Sequence, residues 1–301
     1  MRKGVVLFIT LSVIAAMLAL VGAIFSYLDK SKKDASLTTA LIQSNLLYRD
    51  ASEVLKTSLG KAGKDQNMKD TVFDMLYFTP ITFKPEKSDL FAMINCKPLA
   101  NGVNINWLGF ENNSSKQMQF IAAQTVLDRI LEQNNIQDAT LLREKLRSQL
   151  NSENSATSES QNRLSQKKGI ITLEQLKTTA RDYRFGADDP AIERIEWEKF
   201  FSFSDPEVLI DANYLSAELI AILFEMELEF VQKEWIQGDD LKEFLETNGA
   251  DISTYSNKLF SDKPIEQMYC RINYGHQEHT YAFGFEYIAG RGENFEFYGE
   301  Q

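Results

Sequence analysis

The sequence predicts an α+β protein in which one long N-terminal helix packs on an antiparallel sheet, with a large all-α subdomain inserted into that sheet. Three observations carry the prediction. Residues 5–59 contain no proline and a single glycine, Gly22. Strand-like segments stand on both sides of residues 113–255, in 71–110 and again from 265 onward, with period-two alternation in parts of each. Between them the apolar residues recur at helical spacing instead. At 301 residues and 44% hydrophobic content, the chain can bury a real core beyond its first helix.

The N-terminal element opens with Met1-Arg2-Lys3-Gly4, continues as an uncharged apolar run over residues 5–28, and then meets Asp29, Lys30, Lys32 and Lys33. A helical run of that length spans about 36 Å, enough to cross a bilayer. Arg2 and Lys3 on one flank face three lysines on the other, so the positive-inside bias does not set an orientation. A secretory signal peptide would carry a shorter apolar region and a small-x-small cleavage site, of which Val21-Gly22-Ala23 is a poor version inside the run. An uncleaved single-span anchor has the same hydropathy. The distinguishing feature is the junction: a basic leader ends in glycine and the apolar run starts on the next residue. This junction resembles that of a prepilin. The resemblance implies cleavage between Gly4 and Val5 by prepilin peptidase, methylation of the new Val5 amine, and anchorage in the inner membrane.

Beyond the span, Leu37, Leu41, Tyr48, Leu55 and Leu59 recur at helical spacing, with Ile42 and Val54 beside them. One helix of about 80 Å is expected. It ends at Gly60-Lys61-Ala62-Gly63, where glycine and a terminal lysine form a stop signal. A helix half in the membrane and half on a soluble domain resembles the pilin body plan. The expected contact face for neighbouring subunits is Leu7, Ile14 and Leu18 with Leu37, Leu41 and Leu55.

Residues 71–110 read as strands and turns: 71–79 is aromatic-rich, Pro80 and Pro85 interrupt it, Asn101-Gly102 marks a tight turn, and 103–107 alternates. Residues 115–250 read as mostly helical, through Phe120, Ile121, Val126, Leu127, Ile130 and Leu131, then Leu141, Leu142, Leu146 and Leu150. The polar stretch 151–166 reads as a surface loop. Thr172 caps a further helix, and helices are expected at 216–232 and 239–246. From 265 the period returns to two, with a hairpin tip at 275–278 and a second turn at Gly290-Arg291-Gly292.

Charge and motif content narrow the function. The formal charge is −11; loss of Arg2 and Lys3 with the leader lowers Lys+Arg from 32 to 30 against 43 Asp+Glu and makes it −13. So acidic a chain is repelled by nucleic acid, which excludes nucleic-acid binding. No Gly-x-Ser-x-Gly, Walker or dinucleotide motif is present, and an enzyme is not expected. His276, Glu278 and His279 are bunched in one predicted turn, where three ligands converge poorly on a tetrahedral metal. Glu225, Glu227 and Glu229 spread over more than one helix face. Cys96 and Cys270 lie in the two strand regions flanking the helical block. They are either a disulfide stapling the sheet in an oxidising compartment or two buried thiols.

The order of parts resembles the K-type minor pseudopilin family of type II secretion. Arg2-Lys3-Gly4-Val5-Val6-Leu7 is similar to that family's Arg-x-Gly-Val-Ala-Leu start. Ile9 stands where most pilins carry glutamate, and the K-type family also lacks that acid. Residues 102–108 resemble its Gly-x-Ile-Asn-Leu-Asn strand, 169–176 its second helical motif, and 208–219 its Ile-Asn-Ile-Asn-Thr-Ala-x-x-Glu-Val-Leu motif with Asp211 in place of the first asparagine. Residues 237–241 are similar to the segment that closes its helical subdomain.

The resemblance implies a division into 1–4 as leader, 5–28 as the transmembrane half of the helix, 29–112 as its periplasmic half with the first strands, 113–255 as the inserted subdomain and 256–301 as the last strands. It implies a position at the pseudopilus tip, other minor pseudopilins as partners, and a single-pass inner-membrane protein exposing its domain to the periplasm. It also brings calcium into question. Asp188, Asp189, Asp205, Asp211, Asp239 and Asp240 offer carboxylates, but no Asp-x-Asp-x-Asp-Gly loop is present and the family's Asp-Trp-x-Asp motif is missing around 136–150, so no cofactor is firmly expected. A minor pilin of a type IV pilus or DNA-uptake system shares the same leader, and a receptor-like protein with an uncleaved span shares the hydropathy. The sequence leaves both open.

Overall fold

The computed structural model describes residues 2–62, 66–83, 91–150, 169–261, 263–276 and 279–300, with side chains from Met17 onward except at Ala62, Gln66, Asn67, Phe83 and His276. Helix α1 (Arg2–Ala62) is followed by α2 (Gln66–Phe78), β1 (Ile81–Phe83), β2 (Phe91–Pro98) and β3 (Val103–Asn104). Then come α3 (Gln117–Gln133), α4 (Ala139–Leu150), α5 (Leu173–Ala187), β4 (Phe201–Ser202) and β5 (Ile210–Asp211). The chain closes with α6 (Ala217–Leu223), α7 (Leu228–Glu234), α8 (Leu241–Thr247), β6 (Phe260–Ser261), β7 (Gln267–His276), β8 (His279–Ile288) and β9 (Arg291–Glu300). The polar stretch 151–166 lies outside the described residues, as do Gln277 and Glu278 at the hairpin tip.

Five strands form one antiparallel sheet in the order β1-β2-β7-β8-β9. β2 and β7 are neighbours although most of the helical block lies between them in sequence, so that block is an insertion into the sheet. Cys96 and Cys270 face each other in the β2/β7 register and are joined by a disulfide. Just past it, the Leu99 N–H donates to the Gln267 carbonyl at 3.1 Å, which ties the exit and the return of the insertion together.

The C-terminal half of α1 packs on the sheet through small residues. Ala40, Ser44 and Ala51 are buried with Leu55 and Leu59 against Tyr274, Tyr281, Phe283 and Phe285. Small side chains bring the helix close enough for the Tyr274 hydroxyl to donate to the Ala40 carbonyl at 2.5 Å. At the far edge, a Cβ on Gly292 would lie 2.4 Å from Ser52 Oγ and 2.7 Å from Tyr48 Cε2, so β9 lies beneath α1 because that position has no side chain. A second core fills the insertion, where Trp107, Val126, Leu127, Ile130, Tyr183, Trp197 and Leu219 are all buried.

Three sequence expectations change. Residues 71–78 fall in helix α2 rather than in a strand. Phe73 and Leu76 share one helical face and are buried against the sheet, while Thr71, Met75 and Phe78 point outward, so burial selected a period that aromatic content had obscured. The alternation over 103–107 yields only the two-residue β3, parallel to β4, before a 3-10 turn begins. The Asn104 side chain accepts the Asn106 N–H at 2.9 Å and starts that turn. Residues 102–108 are buried throughout, so the alternation had no solvent face to reflect. The helix expected over 216–232 is split into α6 and α7 at Glu225, which has a left-handed φ of 52°. Elsewhere the local signals match: the Thr172 side chain caps α5 by accepting the Gln175 N–H, and Ala289 and Gly290 with positive φ turn β8 into β9.

Candidate functional site

The long helix sets out two unlike faces. Leu55, at 5% exposure, and Leu59 are buried on the chain's own sheet. Leu55 therefore does not belong to a partner-facing stripe, contrary to the sequence expectation, whereas Leu37 and Leu41 remain exposed on either side of Ala40, which is buried on the sheet. Nine residues before Leu55, about half a turn around the helix, Leu46 is 53% exposed, and Ile42 beside it is 58% exposed. Ile24 and Leu28 stand eighteen residues earlier, five whole turns away, so they share the azimuth of Ile42 and Leu46. Met17, Val21, Ile24 and Leu28 are exposed as well. The helix thus presents an apolar stripe on the side away from its sheet, interrupted between Leu28 and Ile42 by Ser31, Lys32, Thr38 and Thr39. Composition alone could not find it, because the buried face is built largely from alanine and serine and the exposed face from leucine and isoleucine.

Gly4, Val5 and Ile9 lie in α1, in the part whose side chains fall outside the description. The same holds for the first half of the expected span 5–28. Among the described residues no helix is long and apolar enough to cross a membrane.

The aspartates considered for calcium do not converge. Asp189 accepts the Gln137 and Ala191 N–H groups and the Tyr183 hydroxyl. Asp205 accepts the Glu207 N–H, and Asp240 caps α8 by accepting the Glu243 N–H. Asp188 is the left-handed C-cap of α5. Among the described residues no group of three acidic, histidine or cysteine side chains is arranged to hold a metal ion. The carboxylates end helices and turns, and the donor set does not fit calcium. His279 Nδ1 lies 2.7 Å from Glu300 across the β8/β9 edge, an ordinary exposed pair.

One cluster escaped sequence reasoning. At the neck between the two cores, Asp211 is 2% exposed, its N–H donates to the Ala100 carbonyl at 2.8 Å and its Oδ2 accepts the Ile265 N–H at 2.9 Å. Burial pushes its carboxyl up to about 7, against the lowering effect of the Ile265 and Asn213 N–H groups, and Asp70 adds repulsion. From α2, Asp74 accepts the Tyr214 hydroxyl at 2.9 Å. The neighbouring Tyr77 hydroxyl is buried with no hydrogen-bond partner among the described residues. The only sequence signal was the aspartate at 211 in a stretch resembling a motif with asparagine there.

A long helix on an antiparallel sheet, interrupted by an inserted helical subdomain, is a pseudopilin-like fold. No protein-family model matches the sequence and no curated protein matches it. The structure is similar to a chain in the crystal structure of the GspK-GspI-GspJ complex from the enterotoxigenic Escherichia coli type 2 secretion system. The similarity has a TM-score of 0.51, covers 88% of this chain and 97% of that chain, and comes with 13% sequence identity. At that identity the likeness is one of fold.

Proposed function

We propose that the chain is a K-type minor pseudopilin at the tip of a type II secretion pseudopilus, acting in assembly initiation and protein export. The observation that carries this reading is the fold likeness, which covers 88% of this chain and 97% of the matched chain. In this reading prepilin peptidase cuts between Gly4 and Val5, the Val5 amine is methylated, residues 5–28 anchor the chain in the inner membrane and the domain faces the periplasm. Its partners are other minor pseudopilins, packed on the stripe of Ile24, Leu28, Ile42 and Leu46.

Two physical arguments favour the tip. The insertion is bulky and would obstruct stacking in a repetitive shaft. A carboxylate in lipid is costly unless paired, and in ordinary pilins it can pair with the terminal amine of a neighbouring subunit. With Ile9 in that place, an ordinary subunit above this one has nothing to pair with. Contacts within the membrane are then apolar helix packing.

Mass spectrometry of the N-terminal peptide from the native host tests the assignment. A methylated Val5 terminus is expected, and Gly4→Leu should block processing. An intact Met1, or a cut near Ala23, overturns it. Immunogold labelling should mark one end of the fibre; labelling along the shaft refutes the tip position.

A further inference from the structure

Before it reaches the sheet, α1 runs clear of its own domain. Every described residue from Met17 to Ala35 is exposed, and the sheet takes hold at Ser36, whose Oγ lies 3.0 Å from the Tyr281 hydroxyl. Up to Leu28 no side of this helix carries a charge. At about 100° per residue, Leu18, Leu20, Ile24 and Phe25 spread over nearly half the circumference, and Ala19, Gly22, Ala23 and Ser26 fill the rest. No charged residue stands between Val5 and Leu28. A helix without a polar face is enclosed on every side, by a protein core or by lipid.

The residues just beyond the run decide between the two. Lys30, Lys32 and Lys33 are exposed, stand about 100–160° apart around the helix, and among the described residues form no ion pair. They encircle α1 rather than mark one face. Asp29 and Asp34 lie among them, but a lysine stem carries its charge farther from the helix than an aspartate can. A ring of cations suits a bilayer surface, where phosphates surround an emerging helix at one level; a protein partner meets one side only. Tyr27, 73% exposed, sits at the boundary, where an apolar ring with a hydroxyl tip favours the headgroup layer. The apolar stripe of α1 is interrupted at this same level, by Ser31 and Lys32.

We propose that Tyr27, Lys30, Lys32 and Lys33 form a collar that binds the phosphate groups of anionic phospholipids and fixes the height of the domain on the membrane. Lys33 precedes Ser36 by three residues, a rise of about 4.5 Å, so the sheet end that carries the exposed His279 and Thr280 stands directly above the headgroups. The inference rests on the anchorage of residues 5–28 proposed above. It adds the class of lipid and the residues that select it.

Electron paramagnetic resonance on the full chain, in vesicles mixing phosphatidylcholine with phosphatidylglycerol, tests it. Spin-labelled phosphatidylglycerol should be immobilised at the protein about threefold more than spin-labelled phosphatidylcholine. Lys30→Gln, Lys32→Gln and Lys33→Gln combined should bring the two lipids level, while Lys56→Gln, higher on α1, should leave the preference intact. No preference in the wild type, or an undiminished one in the triple variant, overturns the collar. The anchorage has its own readout: because Cys96 and Cys270 are bonded, a nitroxide on Leu20→Cys is the single protein label. It should relax with oxygen and not with an aqueous nickel chelate. Nickel access means that no bilayer encloses α1 and refutes both anchorage and collar; a shielded label without lipid preference refutes the collar alone.

Discussion

The buried carboxylate of Asp211 accepts the backbone N–H of Ile265 at 2.9 Å, while its own N–H reaches the Ala100 carbonyl at 2.8 Å. Ala100 follows the strand that leaves the sheet, and Ile265 precedes the strand that returns to it. One residue of the insertion therefore holds both crossing points, in a place where burial disfavours its charge.

This arrangement makes stability depend on pH. The Asp211 carboxyl is raised from 3.8 to about 7, so the folded state holds its proton more tightly than the unfolded chain. Its contribution is complete below pH 4 and is lost as pH rises through 7. The full change is about 4 kcal/mol as an upper figure. Urea unfolding should show the wild type losing stability between pH 5 and pH 8 relative to Asp211→Asn, in which the site no longer titrates. Equal slopes for the two proteins would rule out Asp211 as the source.

The disulfide closes the insertion at its base. Thiol labelling under denaturing, non-reducing conditions should find no reactive cysteine in the native protein. Replacing Cys96 and Cys270 together by alanine should cost about 2–5 kcal/mol, because the bond closes a long loop in the unfolded chain. Two labelled thiols in the native protein would contradict the bonded state.

Two glycines separate a rigid contact from a yielding one. Gly292→Ala drives a Cβ into Ser52 and Tyr48, and Tyr48 is itself packed against Phe285 and Phe295, so a loss of about 1–3 kcal/mol is expected. Gly284→Ala meets the hydroxyl ends of Tyr269 and Tyr298 on the outer sheet face, where the rings can swing away. Thermal melts should rank Gly292→Ala well below Gly284→Ala; the reverse order would mean that α1 is not clamped on β9.

The two faces of α1 should respond to different assays. Leu55→Ala removes buried volume and should cost about 2–5 kcal/mol in folding stability. Ile42→Ser with Leu46→Ser should leave the melting temperature within about 2 °C, since surface changes are small, yet reduce co-purification with smaller pseudopilins. On the proposed pseudopilin reading, Ile9→Glu should also impair assembly by placing an unpaired acid in lipid. Normal assembly of the Ile42/Leu46 variant would show that the partner lies on another face.

Local patterns in the sequence determined the elements whose cause is local. Absence of proline kept the long helix unbroken through Gly60 to Ala62, Thr172 began α5, and Gly290 turned the last hairpin, because backbone freedom and capping act within a few residues. The return of period two after residue 265 likewise announced the sheet, since β7 and β9 bury one face more than the other, whereas β8 is buried on both faces over Tyr281–Phe285. Tertiary structure alone decided which side of a segment would be buried. Residues 71–78 became helical because Phe73 and Leu76 reach the sheet together, and the expected strand over 103–107 shrank to Val103–Asn104 because both sides are enclosed. The face of α1 on the sheet is marked by Ala40, Ser44 and Ala51, whose small size matters only once Tyr274 and β9 approach. Asp211 shows the same limit: nothing adjacent in sequence makes its carboxyl unusual, and its burial between Ala100 and Ile265 exists only when the two ends of the insertion meet.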